Sequence, residues 1–152
     1  LEDNGQIDKN IIMTITEIQD EIIEEFAMFD DWQERYQYMI DLGKTLPLIN
    51  PEYKTEDNII TGCQSKVWVN ASMNDDKILF TADSDAIITK GIIAILIRVF
   101  SNQHPKDIIE GNTDFIDQIG LKEHLSPTRA NGLVSMIKKI KMYALAYQTQ
   151  VS

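Results

Sequence analysis

Thiols are nearly absent: the chain holds one cysteine, Cys63, among its 152 residues. One cysteine excludes an internal disulfide, and a thiol kept free suits a reducing compartment, so a cytoplasmic location is expected. Cys63 with His104 and His124 cannot assemble a C-x-x-C-type zinc set. Nor can one thiolate hold an iron–sulfur cluster, which takes about four protein ligands. No metal or cofactor of the chain's own is therefore expected. Long apolar runs are missing too. The longest uncharged one, Gly91 to Ile97, falls far short of the ~20 residues that span a bilayer. Basic residues are scarce, with 14 Lys and Arg against 24 Asp and Glu and a formal net charge of −10. Such a field repels phosphate backbones and anionic lipid, which argues against nucleic-acid and membrane partners. Neither G-x-x-x-x-G-K-[ST] nor G-x-G-x-x-G occurs, so no nucleotide cradle is visible.

What is present fits one domain. A hydrophobic content of 43% and a charged content of 25% are ordinary for a globular chain. No repeat, low-complexity tract or Pro/Gly-rich linker divides it. The first stretch, "LEDNGQIDKN", lacks the basic and then apolar regions of a secretory signal and precedes Met13. Residues 1–12 read as a flexible extension or expression remnant, and residues 13–150 as a single domain.

Patterning along that domain runs helices, strands, helices, which indicates the α+β class. Thr14 with Glu17 forms a capping box, and Ile15, Ile18, Ile22, Phe26 and Phe29 follow at helical spacing. Asp31 with Glu34 caps a second helix from Trp32 to Leu42, expected to end at Gly43. A long loop follows, with two prolines. Val67, Val69, Ala71 and Met73 alternate along a strand over 66–73; "NDD" at 74–76 turns the chain, and 77–82 returns with Ile78, Phe80 and Ala82 inward. Ile59 and Ile60 add a short third strand, so a small antiparallel sheet of about three strands packed against helices is expected. Residues 84–100, apolar nearly all round, predict a buried central helix. Short helices are expected over 105–110 and 113–119. The last starts at "SPTR", with Ser126 as N-cap and Pro127 in the first turn, and its apolar stripe is Leu133, Met136, Ile137, Ile140, Tyr143 and Tyr147. Lys138, Lys139 and Lys141 are expected to favour its C-terminal dipole.

The chemistry narrows to Cys63. It stands in "IITGCQSKVWVN", after Gly62 and before a strand, flanked by polar Gln64 and Ser65. The residues alone leave two readings open: an inert buried thiol, or a nucleophile presented by a loop on a rigid scaffold. His104 and His124 sit in turn-like, polar surroundings and read as surface structure.

The stretch "GCQSKVWV" resembles the signature of SufE and CsdE, the sulfur-acceptor proteins of iron–sulfur cluster assembly. Three further segments resemble that family in the same order: "DDWQERYQYMIDLGKTLP" at 30–47, "DSDAIITKGIIAIL" at 83–96 and "LKEHLSPTRANGL" at 121–133. The resemblance implies a SufE/IscU-like fold and a carrier rather than an enzyme. It takes sulfur from the persulfide of a pyridoxal-phosphate cysteine desulfurase of the SufS/CsdA type, stimulates that enzyme, and passes sulfur to a cluster scaffold. By similarity Cys63 is the acceptor thiol. Arg129 is its thiolate-stabilising neighbour, although a capping or surface arginine looks the same in sequence. Gly62, Gln64, Ser65 and Asp85 face the partner, although Asp85 reads equally well as a first-turn helix acid. Two alternatives stay open: an allosteric activator that takes no sulfur, and an IscU-type scaffold, which a single cysteine disfavours. A lone thiol suits a carrier, because a second nearby thiol would attack the persulfide and release its sulfur.

Overall fold

The computed structural model describes residues 13–63 and 65–151; the expected extension at 1–12 lies outside them. Helix α1 (Ile15–Ala27) starts on the expected capping box, with Glu17 N donating to Thr14 Oγ1 at 3.1 Å and Thr14 N to Glu17 Oε1 at 2.9 Å. Ile15, Ile22 and Phe26 bury its apolar face. Helix α2 (Trp32–Gly43) starts where Asp31 Oδ1 accepts from Glu34 N at 2.9 Å. Gly43 lies inside its last turn rather than beyond it, and Lys44 is the C-cap. The glycine serves contact instead of termination: a Cβ there would meet Gly91 N of the next long helix at 3.0 Å.

Strands β1 (Val67–Asn74) and β2 (Lys77–Ser84) pair antiparallel from Val67↔Ser84 to Asn74↔Lys77. Asp75 adopts φ 58 in the turn, a left-handed conformation that Asp tolerates. Among the described residues the sheet has these two strands, not three. Ile59 makes one bridge to Trp68 and Leu48 one to Ala82, and neither becomes a ladder. On one side the chain turns away at Thr61–Gly62, and on the other Pro47 brings a carbonyl but no N–H. The free edge of β1 is covered otherwise: its Val67, Val69 and Ala71 carbonyls accept from Ile60 N at 2.8 Å, Tyr143 Oη at 3.0 Å and Tyr147 Oη at 3.0 Å. Tyrosines expected as plain stripe residues thus close a sheet edge.

Helix α3 (Ile87–Phe100) is the core, with Ile92, Ile93, Ile95, Leu96, Val99 and Phe100 buried against Val67, Val69, Phe80 and Ala82. Asp85 precedes it, outside the first turn where sequence placed it. Short α4 (Pro105–Glu110) and α5 (Asp114–Gln118) lead to α6 (Pro127–Val151), whose Leu133, Met136, Ile140 and Ala144 complete the core. Ser126 Oγ accepts from Arg129 N at 3.2 Å, as an N-cap does. Because α6 runs on to Val151, Lys138, Lys139 and Lys141 sit in its middle, out of reach of an end effect confined to the last turn. Lys141 instead donates to the Ile108 and Ile109 carbonyls at 2.9 and 3.0 Å, capping α4, and Lys139 donates to Asp57 O at 2.9 Å.

Candidate functional site

Cys63 lies half-buried where the long loop crosses α6 before entering β1. The approach is fixed by the Ile60–Val67 backbone bond and by the Lys139–Asp57 contact. Gly62 then takes φ +88, which turns the chain onto the helix. Beyond Cys63 the loop is held from the α3 side. Asp85 Oδ1 accepts from Lys66 N at 3.0 Å while Asp85 N donates to Lys66 O at 3.2 Å. Ser65 Oγ accepts from the buried Thr89 hydroxyl at 3.5 Å. Nearby, Asp83 ion-pairs with Lys54 at 2.7 Å and Lys90 at 3.3 Å, and Lys54 stands 5.2 Å over the Trp68 ring. Burial alone would raise the Asp83 carboxyl, but Lys54, the Ser84 amide and Lys90 together hold it below its ordinary value.

The thiol faces a hollow of about 10 Å³ lined by Thr89, Ile92, Thr128, Arg129, Gly132 and Met136. That is at the lower limit for holding one water molecule. Sγ donates to the Gly132 carbonyl at 3.8 Å. Burial pushes the Cys63 thiol above its ordinary value, so the thiolate share at neutral pH falls below the ~3% of a free thiol. A partly covered, protonated sulfur is slow to react until something raises its thiolate share. Among the described residues Arg129, from the first turn of α6, is the one charged side chain lining the hollow, and so the cation nearest to that task.

The structure thus brings together Cys63, Arg129, Gly62, Ser65 and Asp85; Gln64 lies outside the described residues. Asp85 and Ser65 hold the loop as well as flank it. Sequence reasoning missed Thr89, Ile92, Thr128, Met136 and, above all, Gly132. Gly132 stands in the quoted segment "LKEHLSPTRANGL", and by itself its signal was a glycine inside an otherwise good helix pattern. His124 stacks on Trp32 at 3.9 Å and His104 contacts Asp76, neither lining the hollow. Among the described residues no group of three or more His, Cys, Asp or Glu stands where a metal ion would be held, and no helix is long and apolar enough to cross a membrane.

The family model "SufE: Fe-S metabolism associated domain" matches residues 20–144. An uncharacterized SufE-like protein of Rhizobium meliloti (strain 1021) is 42% identical over 130 residues, covering 82% of this chain and 93% of its own length. A SufE-like protein of Synechocystis sp. (strain ATCC 27184 / PCC 6803 / Kazusa) is 36% identical over 127 residues, covering 84% of this chain and 80% of its own. The fold is shared with the solution structure of a hypothetical protein from Thermus thermophilus, at TM-score 0.74 and 19% identity over 87% of this chain and 96% of that one.

Proposed function

The chain belongs to the SufE family, a family of iron–sulfur metabolism, and from that premise we propose that Cys63 accepts persulfide sulfur from a cysteine desulfurase. The supporting observation is the placement of the lone thiol. It is carried at the bend of a pinned loop and laid on α6, in one hollow with Arg129.

The Cys63 thiolate attacks the terminal sulfur of the donor's persulfide. A new Sγ–S bond forms, the donor's S–S bond breaks, and the donor cysteine leaves as a thiolate that recovers the proton Cys63 gave up. The two thiols exchange one sulfane sulfur, with no net oxidant or reductant. Carbon–sulfur cleavage belongs to the partner, whose pyridoxal phosphate supplies that chemistry; this chain is a transfer partner that speeds turnover by clearing the product sulfur. Arg129 favours the anionic sulfur in the step. Gly62, Gln64, Ser65 and Asp85 are assigned to desulfurase binding, and the sulfur then passes to an iron–sulfur scaffold. A reducing, cytoplasmic setting suits a carrier with one unprotected thiol.

The test is mass spectrometry of the full chain after incubation with a cysteine desulfurase and cysteine. The expected result is an adduct of about +32 Da on Cys63, one sulfur atom on the persulfide chemistry above. The Cys63→Ser variant should bind the desulfurase yet gain no mass and fail to stimulate it. Full stimulation by that variant would replace the carrier with an allosteric activator.

A further inference from the structure

One turn of α6, from Gly132 to Ser135, carries the Cys63 loop on contacts that only small groups permit. A Cβ on Gly132 would stand 3.0 Å from Cys63 Sγ and 3.6 Å from its Cα, and a Cβ on Gly62 would stand 2.8 Å from Ser135 Oγ. Gly132 is buried, with core residues Leu133 and Met136 on the same stretch of helix. Glycine inside a helix costs about 1 kcal/mol relative to alanine, so the helix itself gains nothing from it. The beneficiary is the thiol, which occupies the space a side chain would fill and donates to the carbonyl beneath.

We propose that Gly132 is a positioning residue for the sulfur-accepting step: lacking a side chain, it lets the Cys63 thiol lie on the α6 backbone and donate to the Gly132 carbonyl, which holds the thiol in its protonated form. The S–H form makes that hydrogen bond and the thiolate cannot, so the contact and the burial act in the same direction. Among the groups that line the hollow one opposes them, the Arg129 cation. From α3 the uncharged Thr89 and Ile92 line the hollow, α6 contributes Arg129, and on the loop the adjoining Lys66 has its amide held by Asp85. The meaning of the proposal rests on Cys63 being the acceptor, but its test needs no sulfur donor, so the two readings fail separately.

The experiment is Gly132→Ala in the full chain. The added methyl displaces Sγ, while alanine suits the helix. Alkylation of Cys63 by iodoacetamide at neutral pH should become several-fold faster than in the parent, and the midpoint of its pH profile should fall. Because the chain has one thiol, its Raman S–H band is unique; it should move from the hydrogen-bonded to the free position. Ser135→Ala trims the side chain that faces Gly62 on the same turn of α6 and does not line the hollow, and should leave the pH profile unchanged. An unaltered profile in Gly132→Ala, or an equal shift in Ser135→Ala, overturns the proposal. If Gly132→Ala fails to fold, the parent's S–H band decides: a hydrogen-bonded position supports the contact and a free position removes it.

Discussion

Cys63 holds its proton more tightly in the folded chain than in the unfolded one, because burial disfavours the thiolate. Folding stability therefore depends on pH through this residue. Its contribution is fully present below the ordinary thiol value of ~8.5 and is lost as pH rises through the higher folded value. The urea midpoint of the parent should accordingly fall more steeply than that of Cys63→Ser between about pH 8 and about pH 10, since serine does not titrate there. Tyr143, raised by burial, and Lys141, lowered by burial, titrate on the alkaline side in both proteins and cancel in the comparison. Parallel slopes would mean that the thiol is not desolvated. At this scale the flanks of Cys63, Gly62 and the polar Gln64 and Ser65, left an inert thiol and a presented nucleophile both open in the sequence. The role argued for Gly132 could not be read there, because the contact behind it lies 69 residues away, in the sulfur that sits against it.

Between elements, the crossing of α2 over α3 depends on backbone meeting backbone. A Cβ on Gly91 would stand 2.4 Å from the Met39 carbonyl oxygen and 2.9 Å from its carbon. Neither atom belongs to a side chain that can swing away, so Gly91→Ala must push the helices apart. The cost should reach the upper end of the ~1–3 kcal/mol typical of overpacking, read as a lower urea midpoint with unchanged slope. A midpoint equal to the parent's would show that the helices part freely. A second tie runs from α3 to α1, where Arg98 donates to Glu25 at 2.7 and 2.6 Å and also meets Glu21. Arg98 is the main cause holding Glu25 below its ordinary value, while burial and then that carboxylate push Tyr38 up to about 12. Helix starts were legible in sequence because caps are local: Thr14, Asp31 and Ser126 each bond an amide three residues on. The sheet edge was not. It is closed by Tyr143 and Tyr147 reaching Val69 and Ala71, contacts between residues more than 70 positions apart that no periodicity records. The mid-helix lysines followed the same rule, with Lys141 answering to α4 rather than to the end of its own helix.

For the whole molecule, the decisive number is one thiol in 152 residues. A persulfide on Cys63 is open to attack by any second thiol that reaches it. The attack would join the two cysteines in a disulfide and expel the outer sulfur as sulfide, with atoms and electrons balanced and no external oxidant. On the proposed function such a thiol must be kept away from the Cys63 loop, and a side chain placed to become one is Thr128, which lines the same hollow as Cys63. Thr128→Cys alters one exposed side chain, so the fold has little reason to respond, yet it puts a resolving thiol into the hollow beside Cys63. Loaded from a small-molecule persulfide, the parent should retain its added sulfur. The variant should lose it, release free sulfide and show, by mass, a disulfide between Cys63 and the introduced thiol. If the variant instead held its sulfur as long as the parent, isolation of the thiol would not be what preserves the cargo. The burial of Cys63 against α6 would then have to account for that preservation unaided.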